Sequence, residues 1–494
     1  LKKIVKVLKE NFSKYISPAL FAMILAAVIS GILLFVPPIH GYADNGDFYQ
    51  AMTTNGIYRL GHGSISNYVI TKFGIYQYFN GNGINGFSSQ SIFIQIALLL
   101  NKIFYSSKFF DIRFLGIVYY AFYLGAIYML TKALVYPYKA LKSYAIALVV
   151  VVMFTDSSFM LYFNSFFVQP VMIISLIYGF SSILLLGRQV YKKNWPLITL
   201  FFVSVMILIT SEAQNALLAL SFSIVAIGLM FLPHFKTRRF AVALGMLALI
   251  CSGVFTYTTM NNEREVDRYQ SFTHGVLMDA GDPTRKIKKE GVNEQFALLQ
   301  SQDYYPQTYT AVEPQGKMIK THLLSNDGII WKLKYFSHNT KQFGQLINFA
   351  SQGIMFTQVR SVGNYVPSSN KPKGQVRYFT IYSQLMGDLF PSKYAFLVLL
   401  IVGLVSCYGV GLYLDYKSKQ SLGVMRFFLV LGLSTIVLFV PVNTILNYGV
   451  INISAHIFMV PLSLDLMFIL FISDALHDRL WNTEVKEGSL DHAK

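Results

Sequence analysis

Cysteine is nearly absent from this chain. Only Cys251 and Cys407 occur in 494 residues, and both fall inside apolar runs. No disulfide can brace a polar segment, and the redox compartment is not encoded. Charge is also scarce, at 13% of residues against 54% hydrophobic, which leaves too little polar surface to coat a soluble fold. There is no Walker or dinucleotide Gly-rich fingerprint, no His-x-x-x-His and no paired-cysteine spacing, so the usual nucleotide and zinc sites have no signature here. Internal repeats, low-complexity tracts and inverted halves are missing too, and with them the mark of repeat-built transporters.

What fills the chain instead is hydrocarbon. Apolar runs of about 18 to 22 residues recur, enough to cross roughly 30 Å of lipid at 1.5 Å per residue. They predict ten transmembrane helices, at 18–37, 113–134, 143–160, 171–187, 196–210, 214–232, 240–257, 392–413, 425–442 and 455–474. The fold expected is a polytopic α-helical membrane protein.

Basic residues give the orientation, because loops rich in Lys and Arg stay in the cytoplasm. Lys2, Lys3, Lys6, Lys9 and Lys14 precede the first span. Lys139 and Lys142, then Arg188, Lys192 and Lys193, then Lys236, Arg238 and Arg239, then Lys417 and Lys419 fill every second connection. The short connections around Asp156, around Glu212 and at 443–454 hold neither residue. Both termini are therefore expected in the cytoplasm. The net charge of +17 follows from these loops and from anionic lipid, so nucleic acid is not expected as a partner. The first span is longer than a signal core, and Pro37-Pro38 follows it rather than a small-residue cleavage site, so it reads as a retained anchor.

Three regions result. Residues 1–257 form a transmembrane module of spans one to seven with a long first extracytoplasmic loop, 38–112. Residues 258–391 form an extracytoplasmic, mainly helical domain. Residues 392–494 hold spans eight to ten and a cytoplasmic tail. Within the first loop, Ser91 to Phe104 is apolar but too short to span and predicts an interfacial helix with Asn101 and Lys102 toward water. Within the second region, Gly316–Ser325 and Ile329–Ala350 predict amphipathic helices, and Val366–Gly374 a loop.

Chemistry points to the segment Gly41-Tyr42-Ala43-Asp44-Asn45-Gly46-Asp47-Phe48-Tyr49. It places two carboxylates three residues apart on a Gly-containing turn beside the membrane, although Asp-Asn-Gly is also an ordinary turn sequence. Asp44 and Asp47 leave room for a divalent cation but supply too few ligands to hold one alone. Asp465 lies within the last span, where an ionisable group is a functional candidate by default. Asp156 lies at the outer end of the third span, as a helix-end residue or lining a cleft, and Glu212 lies in the short outside turn 211–214, facing either water or the site.

These residues resemble the type C superfold of glycosyltransferases, membrane enzymes that take sugar from a polyprenyl phosphate. The likeness covers most of the chain in architecture and is greatest to bacterial membrane proteins of cell-surface glycan biosynthesis. It is carried by Asn45-Gly46-Asp47-Phe48 after the first helix, by Tyr162-Phe163-Asn164-Ser165-Phe166, by the Tyr269 to Leu277 run with Phe272, Gly275 and Val276, by Asn364-Tyr365, and by His456 at the start of the last span. The chain departs from the pattern at Gln169, where relatives often have Glu, and at Ser88-Ser89-Gln90, where the flat helix often starts with a His-Pro-Pro-like segment.

The resemblance implies a transmembrane bundle with its active site outside the bacterial cytoplasmic membrane. A polyprenyl-phosphate sugar would be the donor, a cell-envelope glycan the acceptor, and membrane lipid the surroundings. It also implies Asp47 as general base, with Asp44 beside it. A leaving phosphate needs cationic or N–H donors, for which Arg264, Arg268, Arg360, Arg377 and His456 are candidates. Asn364, Tyr365, Asp156, Gln169 and Glu212 are candidates to line the donor and acceptor site. The rival readings are a transporter or flippase of lipid-linked saccharide, and a polysaccharide polymerase or ligase centred on Arg and His.

Overall fold

A computed structural model describes residues 16–61, 67–78, 87–232, 238–260, 264–306, 312–324, 328–359, 362–418 and 422–481. The chain enters through α1, Pro18–Phe35, which starts where the Ser17 hydroxyl accepts the Leu20 N–H at 3.2 Å and Pro18 takes a first-turn position needing no N–H partner. Then come α2 (Phe48–Thr54), β1 (Ile57–Tyr58), β2 (Lys72–Ile75), α3 (Gln90–Phe104) and β3 (Phe109–Asp111). The strands pair antiparallel in the order β1-β2-β3, with Ile57 opposite Ile75 and Lys72 opposite Asp111. This sheet was not expected from the sequence.

Its hinge is Asn101. The Asn101 amide donates to the carbonyls of Ser106 and Phe109, both at 2.8 Å, and its oxygen accepts the Asp111 N–H at 2.9 Å. Asn101 is therefore buried rather than turned to water, because β3 supplies the partners that water would. The exposed stripe of α3 is instead Ile92, Ile96, Leu99 and Ile103, an i, i+4, i+7, i+11 apolar edge of the kind an interfacial helix turns toward lipid.

The bundle continues with α4 (Ile112–Val135), α5 (Leu141–Phe154), the short α6 (Ser157–Met160), α7 (Gln169–Gly187), α8 (Trp195–Ile209), α9 (Leu218–Ile227) and α10 (Arg238–Thr259). A polar region follows, with α11 (Arg264–Ser271), a π-helical turn at 272–276, α12 (Pro283–Lys289), α13 (Ile329–His338), α14 (Thr340–Gln352) and α15 (Ile381–Leu389). The chain returns through α16 (Tyr394–Lys417), α17 (Leu422–Asn447), the short α18 (Ile453–His456) and α19 (Met459–Leu476).

Every expected span coincides with a helix, but not all are full spans. Among the described residues eight helices are long and apolar enough to cross a membrane. The 143–160 span is a pair bent by 52° between α5 and α6, and the 196–210 span is the 15-residue α8. α7 is the axis of the bundle, 94% buried, while α10 is 22% and α16 28% buried. Apolar faces left uncovered by protein on such helices are faces for lipid. The architecture is that of a polytopic helical membrane protein.

The region after α10 contributes to two cores. Tyr269, Phe272, Ile287, Phe296, Tyr335 and Leu346 pack together with Ile445 and Leu446 of α17. Ile354, Met355, Val362, Val376 and Tyr382 join the main core of the bundle instead. The single helix expected over Ile329–Ala350 is broken at Asn339, whose side chain caps α13 by donating to the Tyr335 carbonyl at 2.8 Å.

Candidate functional site

Two asparagines hold the first loop. The Asn164 amide donates to the carbonyls of Leu34 at 2.9 Å and His40 at 2.8 Å, fixing the chain as it leaves α1. The Asn364 amide donates to the Gly41 carbonyl at 2.7 Å, and its oxygen accepts the Val376 N–H at 3.3 Å. Main-chain pairing continues the clasp: His40 bridges Tyr365 antiparallel, and the Ala43 N–H donates to Gly363 at 2.8 Å. Gly41 is required there, since a Cβ would lie 2.6 Å from the Asn164 carbonyl oxygen.

Beyond this clasp the turn separates its two carboxylates. Asp44 is buried, ion-paired to Arg59, and accepts the Gly46 N–H at 2.8 Å. Gly46 has φ +107°, a conformation other residues avoid, and it turns the chain outward. Asp47 is exposed and takes the N-cap position of α2, yet its carboxylate makes no capping bond. Among the described residues it accepts only the Asn45 amide, at 2.7 Å. Although its surface meets solvent, the protein mass around it pushes its pKa above the ordinary carboxylate value; Asn45 opposes this and Asp44 adds to it. Phe48 anchors the turn by edge-on contacts with Phe166 and Phe167, centroids 5.7 and 5.0 Å away, and Tyr42 stacks on Tyr162 at 4.5 Å.

The other sequence candidates fall in different surroundings. Asn364 is wholly engaged by backbone. Tyr365 packs edge-on to His40 at 5.8 Å. Asp156 caps α6 through Ser158 N–H and takes the Ser383 N–H, both at 2.9 Å, so it is a buried joint between the bent span and α15. Gln169 is buried at the start of α7, and its carbonyl oxygen has no partner among the described residues. Glu212 accepts the Gln214 amide at 2.6 Å. Arg268 donates to the Leu324 carbonyl within the polar region. Arg377 is exposed and forms no ion pair among the described residues. Arg360 and the side chain of Arg264 lie outside the described residues.

His456 stacks on Tyr448, centroids 4.0 Å apart, and its Nδ1 lies 2.7 Å from the Gln214 Oε1. Burial pushes its imidazole down to about 4. At neutral pH it is uncharged, and its single N–H faces the Gln214 oxygen, so it offers a phosphate neither a charge nor a free donor. No three His, Cys, Asp or Glu side chains come together as metal ligands among the described residues. A cation at Asp44 would have to displace Arg59, so the residues present do not fit a metal.

A model of the YfdI N-terminal transmembrane domain family matches residues 2–491. The chain belongs to that family. No curated protein and no solved structure matches it.

In this family member the structure adds residues to the site that the sequence did not mark. Arg59 has no motif around it. Lys371 Nζ lies 4.9 Å over the Tyr365 ring and 5.6 Å over Tyr378, and its field reaches His40, which brings a cation to the clasp. The Tyr382 hydroxyl donates to Asp465, whose second oxygen is buried without a partner among the described residues. Only Asp465 carried a signal in the sequence, as a carboxylate within a span. Between α14 and α16 runs an open groove of 560 Å³ lined by Gly344, Ile347, Asn348, Tyr394, Val398 and Leu399.

Proposed function

We propose that this protein is a membrane glycosyltransferase of type C character that moves a sugar from a polyprenyl phosphate to a cell-envelope glycan on the outer side of the bacterial cytoplasmic membrane. The observation that carries the reading is the division of labour in the first loop: Arg59 occupies Asp44, while Asp47 keeps an unspent carboxylate of raised basicity on the exposed side of the turn. Membership of the YfdI domain family and the helical membrane architecture support it.

In this mechanism the acceptor hydroxyl attacks the anomeric carbon of the donor while Asp47 takes its proton. The bond from that carbon to the phosphate oxygen breaks, and polyprenyl phosphate leaves carrying the electron pair. General-base help of this kind works best when the base has a pKa near the working pH, and the crowding around Asp47 moves it in that direction. Lys371 at the clasp and the exposed Arg377 are the cations this reading offers to the leaving phosphate. The apolar groove beside α16 offers the isoprenoid chain a surface at the junction of the bundle and the polar region.

The test is to incubate the purified full chain with a panel of polyprenyl-phosphate sugars and follow sugar transfer or release. Turnover of one donor that vanishes in Asp47→Asn supports the proposal. Absence of transfer or hydrolysis with every donor, together with translocation of a lipid-linked saccharide in vesicles, would replace it with a flippase.

A further inference from the structure

At the opposite end of the bundle from the first loop, three helices bring an unusual set of charges together. Gln169 to Arg188 traverses α7, a rise of about 28 Å at 1.5 Å per residue. There Arg188 meets Arg426 near the start of α17, Arg479 just beyond α19, and Asp474 in the last turn of α19. Asp474 pairs with Arg426 at 2.6 Å, Arg188 at 3.3 Å and Arg479 at 3.4 Å. No side chain of the four is more than 5% exposed, and the guanidinium of Arg426 lies 5.7 Å from the Tyr408 ring.

Part of this cluster is scaffold. Arg479 donates to the carbonyls of Tyr136 at 2.8 Å and Leu134 at 2.6 Å, and Arg188 donates to that of Ala133, so both close the carbonyl end of α4. Arg426 also donates to the Arg479 carbonyl at 2.9 Å. These bonds do not use up the donors. Arg188 Nε, Arg479 Nε, and both Nε and Nη2 of Arg426 are buried without a hydrogen-bond partner among the described residues.

Charge is unbalanced as well. Three guanidiniums face one contacting carboxylate. The next acid, Asp415, reaches Arg426 through its field but accepts the Gly423 N–H at 2.6 Å. Counting both acids, a positive charge is left over among the described residues, in a protein interior at a membrane where an uncompensated ion is costly. A structural ion pair would match its charges and fill its donors; among the described residues this one does neither.

We propose that the Arg188–Arg426–Arg479 cluster binds a phosphate anion, as a monoester or diester. Guanidiniums are suited to phosphate oxygens because their planar donor forks stay charged and can engage two oxygens at once. One phosphate supplies both the missing charge and several acceptors for the idle N–H groups. The source is either the head group of an anionic lipid or phosphate free in solution, and the site is independent of the glycosyltransfer reading.

The test uses the full chain in nanodiscs and in detergent. Thermal unfolding is followed with dioleoylphosphatidylglycerol against dioleoylphosphatidylcholine, and with inorganic phosphate against chloride at equal ionic strength; lipid retention is read by native mass spectrometry. Arg426→Lys and Arg188→Lys keep the charge but lose the fork, and each should weaken the effective ligand by about tenfold or more. Retention of phosphatidylglycerol over phosphatidylcholine, reduced in these variants, assigns a lipid source. Stabilisation by inorganic phosphate, reduced in the same variants, assigns a free one. Absence of both effects in the parent chain, or variants that respond as the parent does, would overturn the site and leave the cluster as a helix clamp.

Discussion

The Arg59 guanidinium closes on the Asp44 carboxylate across 15 residues of the first loop, and that contact sets two acids of one turn to different work. Asp44 is fixed inside; Asp47 stays exposed and forms no ion pair among the described residues. Replacing Asp47 with Asn keeps its shape and removes proton acceptance, so transfer should fall roughly 10²-fold or more with donor affinity preserved. Asp44→Asn should cost less turnover. Arg59→Ala, which strands a buried carboxylate, should cost about 2–3 kcal/mol of stability. Rates, donor affinity and thermal unfolding of the three variants check this, and normal turnover in Asp47→Asn with loss in Asp44→Asn would exchange the roles.

Acid should switch the reaction off early. The base must be ionised, and Asp47 has its pKa raised by crowding and by Asp44. The acid limb of the rate profile should therefore lie above the range of an ordinary aspartate, with the rate rising as pH climbs through the Asp47 value. Asn45→Ala removes the one side-chain hydrogen bond among the described residues that favours the carboxylate, and should move that limb to still higher pH. A limb that stays in place in this variant assigns the titration to another group.

His456 predicts a separate loss of stability. Its folded pKa of about 4 lies below the ordinary histidine value of 6.5. Over that window the unfolded chain takes up a proton that the folded chain refuses. The stabilisation is complete above pH 6.5 and is lost as pH falls toward 4, by roughly 2 kcal/mol after allowing for residual solvent contact. Denaturation of parent and His456→Gln protein across this window should show a shallower pH slope in the variant.

Asn164 should be costly to lose. Asn164→Ala leaves the carbonyls of Leu34 and His40 without their donor, a cost on the order of 2 kcal/mol. It also frees the exit from α1, so activity should fall further than stability accounts for. Transfer measured well below the unfolding temperature separates the two effects.

Topology can be checked with an impermeant thiol reagent in intact cells. A cysteine at Ser301 should be labelled, and one at Lys417 should not. Labelling of Lys417 alone would invert the molecule and move the first loop to the cytoplasm.

The helices were legible because lipid leaves a coarse mark: apolar runs locate α1, α4, α7, α16 and α17 to within a few residues. Local polar detail interrupts that mark. Asp156 caps α6 and bends the third span, and Asn339 divides the helix expected over Ile329–Ala350, because each side chain offers the backbone a competing partner. The small sheet escaped because β1 has two residues and its partners are distant in sequence. Asn101 shows the same limit: on an isolated helix it reads as a polar edge, and only β3 makes it a buried hinge. At the candidate site, the Asn-Gly-Asp turn announced itself by composition. Arg59 and Lys371 did not, since a cation in a polar loop has no periodicity and finds its partner through tertiary folding alone.

The bond from Asn364 to the Gly41 carbonyl joins residues 323 positions apart. During synthesis the first loop must wait for this bond until the helices up to α10 and the polar region after it have been made. Its finished conformation is therefore a late event of biogenesis. A nascent chain halted after α10 would be inserted without the clasp, so competence arrives only when the segment carrying Gly363, Asn364 and Tyr365 has been delivered to the same side.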